Sequence, residues 1–260
     1  MEERQKGNME INRKPFQGVA NIIRFNWHFY LLALGAVLLL LLLSTLFGDN
    51  IRLYIYVSCT LVFSSMLLSL LASMYIYDVS DLYQLNWIDK TNKDITLVNI
   101  HAGFDETSSI LMQSFELSNM QVFDFYDPIK HTEVSIKRAR KAYPPFPNTQ
   151  SITTAHIPLQ SDSVDKIVVI LSAHEIRDEV ERIFFFNELA RIVKPYGNIY
   201  VTEHLCDIPN FLVYNIGFLH FHSSASWQRT FKQTNLTIQK EIKTTPFIST
   251  YILNKNGITH

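Results

Sequence analysis

Asn187-Glu188-Leu189-Ala190-Arg191-Ile192-Val193-Lys194-Pro195-Tyr196-Gly197-Asn198-Ile199-Tyr200-Val201 is the stretch on which the fold turns. It reads as a helix ending on the basic residues Arg191 and Lys194, a stop at Pro195, a turn at Gly197 and then a strand. Upstream, 178–193 is a helix with Val180, Ile183, Phe184, Leu189 and Ile192 as its apolar positions. Before it, 166–171 (Lys-Ile-Val-Val-Ile-Leu) is a continuous apolar run of the kind a strand buried on both faces carries. Strand, helix and strand in this order form one unit of a parallel sheet.

The same alternation extends in both directions. Strands are predicted over 95–100, 121–126, 151–155, 198–203, 236–243 and 247–254, and helices over 109–117, 131–141, 211–221 and 226–234. The region 95–260 is therefore read as an α/β domain, a mostly parallel sheet with helices on both faces.

The chain has 260 residues, so about a third lies ahead of that domain. Residues 1–28 are polar and basic (Arg4, Lys6, Arg13, Lys14, Arg24). The run 29–47 is almost wholly apolar, 53–77 carries no charge, and only Gly48-Asp49-Asn50-Ile51-Arg52 separates them. A bilayer core of about 30 Å takes roughly 20 helical residues, so 29–77 reads as a transmembrane helical hairpin, with aromatic residues crowding its ends. A signal peptide fits badly, because the first run is long, lacks a small-x-small cleavage site and is followed directly by a second span. The basic flank puts the N-terminus and the soluble domain on the cytoplasmic side of a multi-pass membrane protein. Residues 78–94 interleave polar and apolar side chains and suggest a short juxtamembrane helix. The net charge of −1 gives no field that would favour nucleic acid, and Cys59 and Cys206 show no zinc or disulfide spacing.

The opening segment closely resembles the "E-x-x-R-V-L-K-P-G-G-x-L" run of class I S-adenosylmethionine-dependent methyltransferases, nearest to the subgroup that includes the ubiquinone and menaquinone-biosynthesis enzymes. Tyr196 replaces the first glycine of that run. Ala155-His156-Ile157-Pro158-Leu159 with Ser163-Val164-Asp165-Lys166-Ile167-Val168 looks like the family's "A-x-x-L-P-F…S-F-D-x-V", and Ser172-Ala173-His174-Glu175-Ile176 looks like its "L-H-H-I" segment. The resemblance covers about 95–254 and implies a Rossmann-like seven-stranded sheet, here preceded by a two-helix hairpin. It also implies S-adenosylmethionine as cofactor.

The cofactor loop expected from the family is h-h-(D/E)-h-G-x-G-x-G. Here Thr96 to Ser108 (TLVNIHAGFDETS) offers Asn99 for the acid, His101 for the first glycine, Gly103 for the second and Asp105 for the third. A glycine lets backbone approach a ligand closely. The resemblance assigns Asn99, His101, Gly103, Thr154, Ala155 and Ser172 to cofactor binding, and Asp127 to the ribose hydroxyls, with Asp124 as its competitor. Asp127 also has the place of an Asp-Pro turn residue, and Asp105 or Glu106 that of a helix cap. Where the methyl acceptor is a phenol or an activated carbon, a general base is needed, and His174 and His204 are the candidates. The spacing of His204, His220 and His222 does not make a metal site, so no metal is expected.

Two readings follow. One is a membrane-anchored S-adenosylmethionine-dependent methyltransferase whose partners are the lipid bilayer and a small or lipophilic methyl acceptor. The other is a catalytically inactive methyltransferase-like membrane scaffold or interaction protein. A nicotinamide-dependent oxidoreductase would need the G-x-G-x-x-G fingerprint, of which one glycine is present.

Overall fold

The computed structural model describes residues 13–89, 95–115, 120–131 and 133–255. A seven-stranded sheet organises the domain, in the order β3-β2-β1-β4-β5-β7-β6. Its strands are β1 (Leu97–His101), β2 (Met120–Asp124), β3 (Gln150–Ser151), β4 (Val164–Ile170), β5 (Val193–His204), β6 (Leu236–Thr245) and β7 (Ile248–Lys255). The first five pair in parallel, and β7 runs antiparallel to both β5 and β6. The Rossmann-like seven-stranded sheet expected from the sequence is present, preceded by two long apolar helices.

Side-chain alternation along the strands divides the core. Val98, Ile100, Ile167, Val169, Ile199 and Val201 pack with residues of α5 (Glu179–Ile192) and α7 (Ser224–Gln233). Leu97, Val168, Ile170 and Tyr200 pack with Leu85, Ile88 and α3 (Ser108–Phe115). Between Val193 and Asn198 the ladder of β5 skips, because Val164 pairs with Val193 and Lys166 with Asn198. The turn read at Lys194 to Gly197 is thus a bulge within one strand. A Cβ on Gly197 would come within 2.8 Å of the Asp165 carbonyl, so only glycine passes there. The Glu188/Arg191 pair of the same motif has a local task. Glu188 accepts from the Ile157 N–H at 2.9 Å, and Arg191 donates to the Ile157 and Leu159 carbonyls at 2.8 and 2.7 Å, which pins the turn beyond β3.

The N-terminal helices depart from the expected boundaries. Helix α1 (Gln17–Ser44) begins well before residue 29, and α2 (Asp49–Met74) follows after four residues. The first turns of α1 bury Gly18, Asn21 and Phe25 against the domain, then Asn26 breaks the helical dihedrals and the exposed apolar run begins. No amphipathic helix forms over 78–89. Tyr75–Val79 winds as a π-helical turn, Ser80 is extended, Asp81–Gln84 is one 3-10 turn, and Leu85 takes a left-handed conformation. Residues 1–12 and 90–94, on which other expectations fell, lie outside the described residues. Both helices are long and apolar enough to cross a bilayer by length and composition, with 6% and 11% of their most apolar windows buried.

Three further elements differ from the sequence reading. The third strand is Gln150–Ser151 only, because Thr153 and His156 close a turn. Helix α4 (Val134–Ala142) starts beyond His131, whose Nδ1 accepts from the Asp127 N–H. The helix expected over 211–221 breaks at Asn215 (φ 50°) into α6 (Ile208–Tyr214) and the 3-10 turn Asn215–His220.

Candidate active site

The carboxyl end of β1 turns at Gly103, whose φ of 87° favours glycine. Below the turn, Asn99 is buried and donates to the Thr107 and Ser108 hydroxyls at 3.1 and 2.8 Å. Asp105 Oδ1 accepts from the backbone N–H groups of Thr107 and Ser108, both at 2.9 Å, so it caps α3. The ring of His101 takes the Gly103 N–H on Nδ1 at 3.1 Å. Three buried atoms of this turn have no hydrogen-bond partner among the described residues: Asn99 Oδ1, His101 Nε2 and Asp105 Oδ2. Buried polar atoms are rarely left so. A cationic or donor-rich ligand group would satisfy the Asp105 oxygen, and an acceptor would satisfy His101. Burial lowers the His101 pKa against the opposing pull of Asp105 and Asp124.

The last residue of β2 is Asp124, buried, with Oδ1 accepting from the Tyr126 N–H at 2.9 Å. Its other oxygen is paired with Arg140 of α4. The Arg140 guanidinium lies over the Tyr126 ring and against Gly103. Asp127 stands three residues beyond the strand and caps its own turn, accepting from Ile129 and Lys130 N–H groups at 2.8 and 3.4 Å. The strand ends earlier than its sequence suggests, so the carboxylate beside the turn is Asp124. Thr154 donates to Glu181, Ala155 is exposed on the turn beyond β3, and Ser172 donates to the Ile100 carbonyl.

A chamber of about 200 Å³ opens at the carboxyl ends of β1, β4 and β5. His101, His174 and His204 line it, together with Tyr77, Phe221 and Phe25 of α1. The structure thus brings both expected bases to one chamber, along with His101 from the end of β1. The hairpin closes another side. Asp78 takes the Gly18 and Val19 N–H groups at 2.7 and 2.8 Å, Glu106 accepts from Tyr83 at 2.8 Å and pairs with Arg13, and Tyr143 donates to Asn21. Phe25, Phe104 and Tyr143 pack edge to face or tilted beneath it.

The two histidines are held in opposite charge states. His174 Nδ1 lies 2.6 Å from Glu203 Oε2, whose other oxygen accepts the Ser172 and Ala173 N–H groups. Burial pulls the His174 pKa down, but the Glu203 and Glu175 carboxylates overcome it and leave it at about 10. His204 Nδ1 faces Asn210 Oδ1 at 3.0 Å, its Nε2 faces the Tyr77 hydroxyl at 2.9 Å, and its ring stacks on Phe221. Asn210 spends its amide hydrogens on Asp207 and the Phe247 carbonyl, so His204 is the donor to Asn210 and Nε2 is left to accept. Burial lowers its pKa to about 4.

That neutral histidine has a consequence for stability. An unfolded histidine titrates near 6.5, so between about pH 4 and 6.5 the unfolded chain carries a proton the folded chain lacks. Stability is complete above that window and falls through it as pH drops, by about 3 kcal/mol. His222, lowered to about 3 by burial and the Arg182 guanidinium, adds to the same slope. Denaturant unfolding at pH 7 and 4.5 should show the loss, and His204→Gln should make it smaller.

Arg140, Tyr77 and Glu203 are site residues the sequence did not single out for these roles, and Asp124 stood there only as the competitor of Asp127. Glu203 and Tyr77 gave no local signal, since one ends a strand and the other lies in an apolar run.

No family model matches the sequence, and no curated protein does. Among solved structures, the chain is similar to a SAM-dependent methyltransferase from Aquifex aeolicus, at 13% identity over 73% of this chain and 97% of that one, with a TM-score of 0.48. It is similar to one from Clostridium acetobutylicum (10% identity, 72% and 98%, TM-score 0.47) and to one from Methanosarcina mazei (13%, 64% and 95%, 0.47). At these identities the likeness is one of architecture.

Proposed function

We propose that the chain is an S-adenosylmethionine-dependent methyltransferase, held at a membrane by the α1–α2 hairpin, with its N-terminus and catalytic domain cytoplasmic. In this reading it methylates a small or lipophilic acceptor. The observation that carries it is the chamber, which joins the Gly103 turn, the His204–Tyr77 pair and the base of the hairpin in one space. Large apolar side chains along both helices stand exposed, Leu32 and Phe63 among them, and lipid would cover them. Arg13 and Lys14 precede the first helix, and Arg24 lies in its domain-side turns, ahead of the exposed apolar run.

The cofactor, when bound, supplies an electrophilic methyl group on a sulfonium. Gly103 gives its backbone close approach, the free Asp105 oxygen suits an ammonium group, and Asp124 would take the two ribose hydroxyls in place of Asp127. Asn99 and His101 hold the shape of the turn. Thr154 and Ala155 flank the adenine end on the turn pinned by Glu188, and Ser172 braces the strand ends. His204 Nε2 takes the acceptor's proton, directly or through the Tyr77 hydroxyl, and the His174 imidazolium draws an anionic acceptor to the opposite side. Phe25, Phe104 and Phe221 exclude water. Transfer of a labelled methyl group from the cofactor into a membrane lipid extract tests the reading. Cofactor binding without transfer would defeat it.

One observation favours the scaffold reading. Arg140 lies across Gly103 and neutralises Asp124, where the cofactor's ribose would be recognised. Arg140→Ala frees that carboxylate, and for an enzyme it should tighten S-adenosylmethionine binding about 10-fold by calorimetry, the worth of one charge-assisted contact. Absence of binding in both proteins would favour the scaffold.

A further inference from the structure

His174 and Glu175 lie in the 3-10 turn after β4, and His220 ends the 3-10 turn after α6. One ligand-capable atom from each falls within 4.8 Å of the other two. His174 Nε2 is 3.4 Å and His220 Nε2 is 3.6 Å from Glu175 Oε1. These separations are long for charge-assisted hydrogen bonds, which close to about 2.8 Å. They approach the edge of a tetrahedron with zinc–nitrogen and zinc–oxygen bonds, roughly 3.3–3.5 Å.

Each ring is also held from behind. His174 Nδ1 lies 2.6 Å from Glu203, and His220 Nδ1 lies 2.5 Å from Glu133. A carboxylate on the far nitrogen fixes the tautomer and aims the Nε2 lone pair at a metal. Glu203 is fully buried and clamped by backbone N–H groups, so it orients His174 rigidly. Three carboxylates converge here, and the Arg177 guanidinium, which also donates to the His220 carbonyl, lies 2.7 Å from His220 Nε2, the atom that faces Glu175, and 3.6 Å from Glu133. Arg177 is 41% exposed, on a long side chain that reaches solvent, so it is a displaceable cation drawn to the same negative charge.

We propose that His174, Glu175 and His220 bind one divalent transition-metal ion of the zinc type, with an open coordination position toward the chamber that His174 and Glu175 line. Two histidines and a carboxylate with a free fourth position make up a catalytic rather than a purely structural donor set. The ligands are 45 residues apart in the chain, from Glu175 to His220, so the spacing that excluded a metal within 204–222 could not register them. On the methyltransferase reading, the ion would take an oxygen of the acceptor and replace the positive charge of protonated His174. The site itself does not depend on that reading.

The test uses the tag-free full-length protein in detergent, stripped with a chelator and titrated with Co²⁺ by visible absorption, then with Zn²⁺ in competition. One saturating equivalent with a tetrahedral cobalt spectrum is expected. His220→Gln should weaken Zn²⁺ binding at least 100-fold, roughly the upper end of the loss seen for an orienting residue, and Glu133→Gln about 10-fold. Arg177→Gln should tighten it. Thermal unfolding checks that each variant folds, and the less buried Glu133 keeps the test open if His220→Gln does not. No saturable binding, or binding that folded His220→Gln and Glu133→Gln leave unchanged, overturns the site, whatever cofactor titration shows.

Discussion

His204→Gln is expected to lower kcat for methyl transfer about 100-fold, with S-adenosylmethionine affinity unchanged. Glutamine preserves bulk and offers a carbonyl to the Tyr77 hydroxyl, but it cannot accept a proton to become a cation. The native ring is poised for that task. Its Nδ1–H is committed to Asn210, its Nε2 accepts, and burial keeps it neutral to about pH 4. Tyr77→Phe removes only the relay hydroxyl and should cost about 10-fold. A structural role for His204 would instead lower cofactor affinity or acceptor KM alongside kcat, and calorimetry with steady-state kinetics on the labelled acceptor separates these outcomes.

Gly103→Val should weaken cofactor binding by at least about 100-fold, or about 2.7 kcal/mol. Two effects combine. The φ of 87° puts a β-branched residue in a region L-residues avoid, at roughly 1–2 kcal/mol. A Cβ there would also sit 2.7 Å from Arg140 Nη1, 2.9 Å from its Cδ and 3.1 Å from Tyr126 Cβ. Arg140 has solvent to retreat into, but the Tyr126 Cβ is anchored to the backbone. Gly103→Ala, without the branch, should show a smaller loss. Binding unchanged in Gly103→Val would mean that the turn is not where the cofactor lies.

The sheet was legible because its strands carry long apolar runs and its helix ends carry basic residues, proline and glycine. The 166–171 run and the Lys194 to Gly197 segment sufficed for the central strands. The bulge at Lys194 to Gly197 was not legible, since proline and glycine signal an interruption without saying whether the chain turns or merely skips a pairing. The choice between Asp124 and Asp127 as the ribose acid turned on a similar point. Phe125 and Tyr126 have strand propensity, yet β2 ends at Asp124, where its ladder with β1 stops at His101 and its partner on the other side, β3, is only two residues long. Histidines and glycine near the strand ends were visible as candidates. Their partners were not, because Glu203, Arg140 and Tyr77 reach the site from three separate elements. The hairpin's apolar length was plain, but the docking of 17–25 was hidden in a stretch whose polar residues read as a solvated flank.

The contact between Gly18 and Asp78 bears on how this protein can be handled. A Cβ on Gly18 would meet the Tyr77 Cβ at 2.3 Å, so backbone is pressed on backbone where the two helices enter the domain. Asp78 serves as the missing cap of α1 from a different helix. Trimming the chain after the second apolar run, the ordinary route to a water-soluble fragment, would remove Phe25 and Tyr77 from the chamber and strip Glu106 of its Arg13 partner. Such a fragment would keep the sheet and lose one side of the chamber. Detergent or nanodiscs around the intact chain are therefore the right medium for every assay of its chemistry.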